Sequence, residues 1–195
     1  MVFIQQPIMP AVRQMKDFEI LLSSNYEYII MLDIHLARLK SIFQLANQHG
    51  KKLFLHADLI QGLQNDQYGT EFLCQEFKPY GLLSTKANVI LKAKEKGVIA
   101  IQRIFLIDNN ALSKSYALLE KTKPDFIEVL PAAVLMMTKE VMAQWKLQIP
   151  ILAGGFIRTI EDVETALKLG AVTVTTSNRE LWKHYEPPAS AKAKK

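Results

Sequence analysis

Apolar runs of strand length alternate with amphipathic helical patterns along nearly the whole chain. The pattern predicts strands at 8–12, 28–32, 52–57, 81–84, 98–106 and 126–130, and two more within 150–178. Helices are predicted at 16–22, 36–48, 63–76 after a loop, 87–96, 111–121, 138–146, 159–170 and 181–185. Such alternation is typical of a parallel sheet, because each helix returns the chain to the end where the next strand starts. Eight strand–helix units therefore predict an α/β fold, a small (β/α)8 TIM-like barrel.

The length of the chain leaves one alternative to the closed barrel. The 195 residues are few against the ~250 typical of this fold, so the connections must be short. A doubly wound open sheet would fit only if the first and fourth strands, the weakest patterns, were not strands. We expect one barrel domain over residues 1–186 and a disordered basic tail over 187–195, which begins Pro187-Pro188 and contains three lysines.

Composition bounds the class of protein. Hydrophobic residues make up 49% of the chain, but no run approaches the ~20 apolar residues that span a membrane, so no membrane partner is expected. The net charge of +5 falls to +2 without the tail lysines, and this balance alone does not indicate nucleic-acid binding. The lone Cys74 and the lack of a secretion signal predict a cytoplasmic protein. Cys74, at helical spacing with Phe77, is expected in the core.

The last two predicted strands end on residues suited to binding phosphate. The first ends on Gly154-Gly155, where backbone can approach a ligand, and the second ends on the polar run 175–178 before a final helix. Within this run Thr176, Ser177 and Asn178 are the candidate ligand residues. Backbone N–H groups at such turns attract anions, and the loops after strands seven and eight of a barrel often hold phosphate. The alternative is that the glycines form only a tight turn and the Thr/Ser run only a helix cap.

Five further polar residues fall at or near the ends of apolar strands. They are His56, Asp58, Lys86, Arg103 and Glu128. In a barrel these ends converge on one mouth, where ligand sites lie. Arg103 and Glu128 would lie on adjacent strands and could pair, either as a buried salt bridge alone or as part of a ligand site. The alternatives for the others are a core histidine, a helix cap and a solvated lysine.

Strong chemical signatures are missing from the sequence. It contains no Walker loop, no Gly-x-Gly-x-x-Gly, no His-Glu-x-x-His and no cysteine cluster. Its four histidines are scattered. We therefore expect no metal site and no cofactor.

Six segments in order resemble a known family. They are 55–63, 83–86, 101–108, 123–131, 151–155 and 175–178, and the most specific parts are Ser84-Thr-Lys86 and Gln102-Arg-Ile-Phe-Leu-Ile-Asp108. Together they resemble the glycerol-3-phosphate-responsive antiterminator family, the glycerol uptake operon antiterminator regulatory proteins of bacteria. The likeness covers the chain from Pro10 to about Trp182. Two departures are Gln61, in place of an acidic residue, and Ala132-Ala133, in place of glycine.

The resemblance implies a TIM-barrel-like protein that binds glycerol 3-phosphate and is not an enzyme. It also implies binding to the leader mRNA of a glycerol-metabolism operon, so that transcription passes a terminator and the message is stabilised. The effector's phosphate is expected at the two glycines and the Thr/Ser turn, with Lys86 and Arg103 adding charge. Glu128, Asp58 or His56 would bind the glycerol hydroxyls. A homo-oligomer is left open.

Two enzyme classes compete with a regulator. A barrel enzyme acting on a phosphorylated sugar or polyol would use Lys86 as a Schiff-base lysine, or Asp58 and Glu128 as an acid–base pair. A metal-dependent phosphodiesterase would need several carboxylates around one ion. The RNA surface is not evident from the sequence. The candidate basic clusters are Lys92, Lys94 and Lys96, and Lys114, Lys121 and Lys123, and the sequence favours a solvated helix face for each cluster taken alone.

Overall fold

Eight parallel strands close into a barrel in the computed structural model, which describes residues 6–143 and 147–189. The strands are β1 (Ile8–Val12), β2 (Tyr28–Met31), β3 (Lys52–His56), β4 (Gly81–Ser84), β5 (Ile99–Phe105), β6 (Phe126–Leu130), β7 (Ile151–Gly154) and β8 (Ala171–Thr176). Each strand pairs with its neighbour in sequence, and β8 pairs with β1 to close the ring. The predicted (β/α)8 barrel is therefore confirmed, and the open sheet is excluded because β1 and β4 are paired on both sides.

Helices cover the outside of the barrel. They are α1 (Met15–Leu22), α2 (Leu39–Gln48), α3 (Gln67–Glu76), α4 (Ala87–Glu95), α5 (Asn109–Thr122), α6 (Leu135–Ala143), α7 (Ile160–Lys168) and α8 (Arg179–His184). The predicted helix at 36–48 starts with a 3-10 turn, Leu36–Arg38, and α6 starts earlier than predicted, after the 3-10 turn Ala132–Val134. The predicted end of that helix at 144–146 and most of the predicted tail, 190–195, lie outside the described residues.

Two apolar layers account for the near-continuous hydrophobicity of the strands. Alternate side chains point into the barrel, among them Met9, Ile30, Phe54, Ile101 and Leu152. The intervening side chains form a larger core between strands and helices. Strands buried on both faces must be apolar at almost every position. Polar residues within such strands are therefore exceptional, and here they occur mainly near the strand ends.

Local capping chemistry fixes where several helices begin. Thr159 and Asp162 form the predicted capping box of α7, each side chain accepting from the backbone N–H of the other residue. Asp108 caps α5 as predicted, accepting from the Ala111 N–H at 2.6 Å. These caps set the direction in which each chain segment leaves the barrel mouth.

Cys74 lies buried in the outer core, as predicted. Burial raises the pKa of its thiol to about 11. Within residues 6–143 and 147–189, no helix has the length and apolar character needed to cross a bilayer.

Candidate functional site

Three of the predicted site residues lie on the inner face of the barrel. His56, Arg103 and Glu128 each follow an interior apolar residue by two positions, on β3, β5 and β6. Side chains two apart on a strand share a face, so all three enter the upper part of the barrel interior. The carboxyl ends of the strands meet there, and the fold places its binding loops at that end.

Arg103 and Glu128 form a buried ion pair between neighbouring strands. They are direct partners in the β5–β6 register, and the Arg103 Nε donates to the Glu128 Oε2 at 2.5 Å. The Glu128 side chain is 1% exposed and that of Arg103 is 14% exposed. No hydrogen bond joins the terminal nitrogens of Arg103, Nη1 and Nη2, to any part of the chain that the structure describes. The predicted pairing is confirmed. Because the bond uses Nε, the two terminal nitrogens, which form the guanidinium fork, remain available.

Thr175 completes the anchoring of Glu128. The Thr175 Oγ1 donates to the Glu128 Oε1 at 2.7 Å, so each carboxylate oxygen has one donor. The sequence prediction placed Thr175 at the end of this strand but included only Thr176, Ser177 and Asn178 among the ligand-binding residues. The available signal was strand alternation: the outward Val174 implies an inward Thr175.

Gly154 has a packing role that the sequence reading did not assign. A Cβ on Gly154 would collide with the Thr175 Oγ1 and approach the Glu128 Oε1 to 3.2 Å. Gly154 therefore makes room for the Thr175–Glu128 bond. Gly155 follows with φ +79°, a conformation that favours glycine, and turns the chain over Leu130 and Pro131.

His56 is buried beside this pair without a hydrogen-bond partner. It is 3% exposed, and neither ring nitrogen has a partner among residues 6–143 and 147–189. Burial, with the nearby Arg103 charge, lowers the pKa of His56 to about 4, so the ring is neutral at neutral pH. A neutral imidazole offers one donor and one acceptor, and leaving such groups unpaired costs about 1–3 kcal/mol.

Asp58 is held by its own neighbours. It lies in the 3-10 turn Ala57–Leu59 after β3, and it accepts from the Asn65 side chain at 2.7 Å, from the Ser84 hydroxyl, and from the Thr85 N–H and hydroxyl. Burial pushes the pKa of Asp58 upward, but these hydrogen bonds outweigh burial and hold it below its ordinary value. Asp58 thus ties the β3 and β4 loops together.

Lys86 lies at the edge of the mouth rather than inside it. It occupies the N-cap position of α4, is exposed, and donates from Nζ to the Asn65 carbonyl at 3.1 Å. An exposed lysine lacks the desolvation that activates a Schiff-base nucleophile. Its charge still lies at a helix N-terminus beside the mouth.

The turn after β8 is split between structural and accessible residues. The buried Thr176 hydroxyl donates to the Ile157 carbonyl at 3.4 Å and accepts from the Asn178 N–H at 3.2 Å. Asn178 caps α8, accepting from the Glu180 N–H, and donates to the Arg158 carbonyl. These side chains join the β8 turn to the β7 loop, whereas Ser177 between them is exposed. Ligand contact by any of the three stays a prediction.

Other features add little chemistry to this site. No group of three His, Cys, Asp or Glu suited to a metal ion occurs in the described part of the chain. A cavity of about 500 Å³ lies at the opposite end of the barrel, lined by the starts of β5, β6 and β7, where Asp125 and Lys94 are the charged residues.

One predicted basic cluster is largely neutralised. Lys92, Lys94 and Lys96 each form an ion pair with a carboxylate, from Glu95, Asp125 and Glu71 respectively. These lysines on and after α4 therefore offer less unpaired charge than their number in the sequence indicates.

The fold and the mouth define a small (β/α)8 barrel with a partly buried polar cluster at the carboxyl ends of its strands. The family described as glycerol-3-phosphate responsive antiterminator matches residues 8–182, and the chain belongs to that family. The resemblance read from the six sequence segments is thereby confirmed.

The chain is also similar to three individual proteins. The glycerol uptake operon antiterminator regulatory protein from Listeria monocytogenes str. 4b F2365 is 44% identical, with a TM-score of 0.89 over 94% of this chain and 98% of that one. A glycerol uptake operon antiterminator-related protein from Thermotoga maritima MSB8 is 24% identical, with a TM-score of 0.81 over 92% and 99%. The uncharacterized protein YgcP of Escherichia coli K12 is 28% identical over 91% of this chain and 92% of its own.

Proposed function

We propose that this protein is a glycerol uptake operon antiterminator that binds glycerol 3-phosphate at the barrel mouth and, in response, binds leader mRNA. Its family and the Listeria protein support the antiterminator role. The observation that carries the ligand site is the buried network of Arg103, Glu128 and Thr175, with the unpaired neutral His56 beside it. Arg103, Glu128 and Thr175 satisfy one another, whereas the unpaired His56 nitrogens cost stability unless a ligand pairs with them.

The network suggests how a small phosphorylated polyol is held. The Arg103 Nη1 and Nη2 take no part in the Glu128 bond, so they can donate to two phosphate oxygens. The Gly155 and Ser177 turns can bring backbone N–H groups to the same anion, and the exposed Lys86 adds charge at the edge of the mouth. The His56 ring, neutral, can accept from one glycerol hydroxyl and donate to another.

Other predicted residues act through these groups in this proposal. Asp58 has its lone pairs engaged by Asn65, Ser84 and Thr85, so it positions the loop that carries Lys86. Thr176 and Asn178 likewise position the turns around Ser177. We propose no cofactor, because these side chains and backbone groups supply the whole of the expected recognition.

A regulator also fits better than an enzyme. The Schiff-base reading requires a desolvated lysine, and Lys86 is exposed. The acid–base reading requires a free carboxylate pair, but Glu128 is bound by Arg103 and Thr175, and Asp58 is held by its four donors. Ligand binding then acts by shifting a pre-existing equilibrium towards the form that binds RNA.

Calorimetry tests the ligand. Titration with glycerol 3-phosphate, without metal, is expected to show binding, whereas glycerol and inorganic phosphate bind much more weakly. Arg103→Lys keeps the charge but loses the fork, so it should weaken binding at least about tenfold. Lys121→Arg also exchanges one basic residue for another, but at the C-terminal end of α5, the helix end away from the mouth, so it is the matched control and should bind normally. Equal affinity for all three compounds, or chemical conversion of glycerol 3-phosphate on incubation, would contradict the proposal.

A further inference from the structure

A run of exposed apolar side chains borders one side of the barrel mouth. Phe105 at the end of β5, Met136 at the start of α6 and Phe156 after β7 are 51%, 68% and 73% exposed. Met136 and Phe156 line one cavity, and Phe105 is the register partner of Leu130, which with Pro131 lies under Gly155. We call the surface formed by Phe105, Met136, Phe156 and Arg158 the aromatic rim.

Phe156 occupies a backbone conformation that disfavours it. Its φ is +59°, in the left-handed region where glycine carries no steric penalty and a bulky residue does. Most of its ring faces solvent, so core packing does not compensate for this strain. Strained residues that persist in loops around ligand sites commonly serve a function. Glycine would be less strained at this position, so we expect the Phe156 ring to contact a partner.

The chemistry around Phe156 favours nucleic acid as that partner. The Arg158 guanidinium lies 5.8 Å from the centre of the Phe156 ring, and neither Arg158 nor Lys86 forms a salt bridge within residues 6–143 and 147–189. The Asp162 carboxylate nearby is engaged by the Arg158 and Thr159 N–H groups. A flat ring beside an unbridged guanidinium is the surface on which unpaired bases stack while cations bind the phosphates.

A cavity next to the ring has room for a base. It measures about 290 Å³ and is lined on one side by Met136, Phe156 and other apolar residues. On the α7 side its lining includes the acidic residues Glu161 and Asp162, so the cavity suits an uncharged base rather than a phosphate. Single-stranded RNA is recognised largely by inserting splayed bases into such places and stacking them on aromatic side chains.

We infer that the aromatic rim is the surface that binds single-stranded RNA, an inference that rests on the proposed function. An unpaired base stacks on Phe156 and enters the cavity beside Met136, while Arg158 contacts a backbone phosphate. The rim and the ligand site share the loop after β7, since Gly155 borders the mouth and Phe156 follows it directly. A ligand that orders this loop would therefore strengthen RNA binding at the same end of the barrel.

Two substitutions separate the ring from the charge. Phe156→Gly removes the ring while keeping a backbone conformation that glycine adopts freely, so the fold is preserved. Arg158→Gln removes the cation. The charge-matched control is Lys121→Gln on α5, which lies on the other predicted basic cluster. The probe is an RNA selected from a randomised pool in the presence of glycerol 3-phosphate, and fluorescence anisotropy measures its affinity.

The variants have distinct expected effects. Phe156→Gly should bind RNA between about 5-fold and about 150-fold more weakly, as expected for the loss of one stacked base. Arg158→Gln should lower the slope of log affinity against log salt by about 0.7, one phosphate contact on a single strand. Both should bind glycerol 3-phosphate like the wild type in calorimetry, and Lys121→Gln should match the wild type in both assays.

Other outcomes would contradict either the aromatic rim as the RNA surface or the proposed function itself. If the wild type selects and binds RNA in response to ligand but Phe156→Gly binds it equally well, the aromatic rim is not the RNA surface and the proposed function stands. If no RNA is selected by the wild type, the proposed function itself fails. If Phe156→Gly changes only self-association in sedimentation experiments, the rim is a contact between copies of the chain, and the inference is wrong.

Discussion

Breaking the Arg103–Glu128 pair from one side should be strongly destabilising. Arg103→Met removes the guanidinium and keeps most of the apolar stem, which leaves Glu128 with only the Thr175 bond at a site where its side chain is 1% exposed. Removing one partner of a buried pair typically costs about 3–5 kcal/mol. Because Thr175 still donates to one oxygen, we expect a loss near the lower end, about 3 kcal/mol.

A double-mutant cycle isolates the pair. Urea unfolding at neutral pH would be measured for the wild type, Arg103→Met, Glu128→Gln and the double variant. Glu128→Gln leaves a neutral amide beside Arg103, and the double variant buries no charge at this site. The two substitutions should therefore couple by about 2–3 kcal/mol, with the double variant more stable than the sum of the singles predicts. A loss below about 1 kcal/mol in Arg103→Met, or additive effects, would show that the buried pair does not hold Glu128 in the way described.

Three further changes test the surroundings of the site. His56→Leu should leave stability unchanged or raise it at neutral pH, since it removes unpaired buried nitrogens, yet should weaken glycerol 3-phosphate binding in calorimetry. Because the pKa of His56 is lowered to about 4, its contribution is fully present above about pH 6.5. It is lost as the pH falls towards about 4. In urea titrations, the unfolding free energy of the wild type should therefore fall by about 3 kcal/mol relative to that of His56→Leu across that window. Asp58→Asn turns an amide towards the Thr85 donors and should lower the unfolding free energy by about 1–3 kcal/mol, measured by urea titration, and unchanged stability would count against its anchoring role. Cys74, with its pKa raised to about 11, should react with a disulfide reagent only in denaturant, and rapid labelling of the folded protein would contradict its burial.

The barrel was predictable because its signal is spread over the whole chain. Strands buried on both faces require apolar runs, and those runs gave strand limits such as 81–84 and 126–130 that match β4 and β6. The Arg103–Glu128 pair was predictable for a related reason. Two opposite charges on adjacent buried strands have few other partners with which to form an ion pair.

Residue types did not predict which polar residues of the site are held by neighbouring groups and which are accessible to a ligand. Asp58 and Thr176 carry the polar atoms a ligand needs, but three-dimensional neighbours such as Asn65 and Ile157 occupy them. Gly154 was selected for access to a ligand, whereas the collision that a Cβ would make is with Thr175, from the next strand. Such assignments depend on contacts between loops distant in sequence, which no local pattern encodes.

The central claim is that ligand binding at the mouth controls RNA binding. The most direct measurement is the affinity of the intact protein for its selected RNA, titrated with and without saturating glycerol 3-phosphate at the same salt concentration. The account predicts that the ligand tightens RNA binding by at least about fivefold, a coupling of about 1 kcal/mol, and that RNA tightens ligand binding by the same factor. Equal RNA affinity in the two titrations would contradict it.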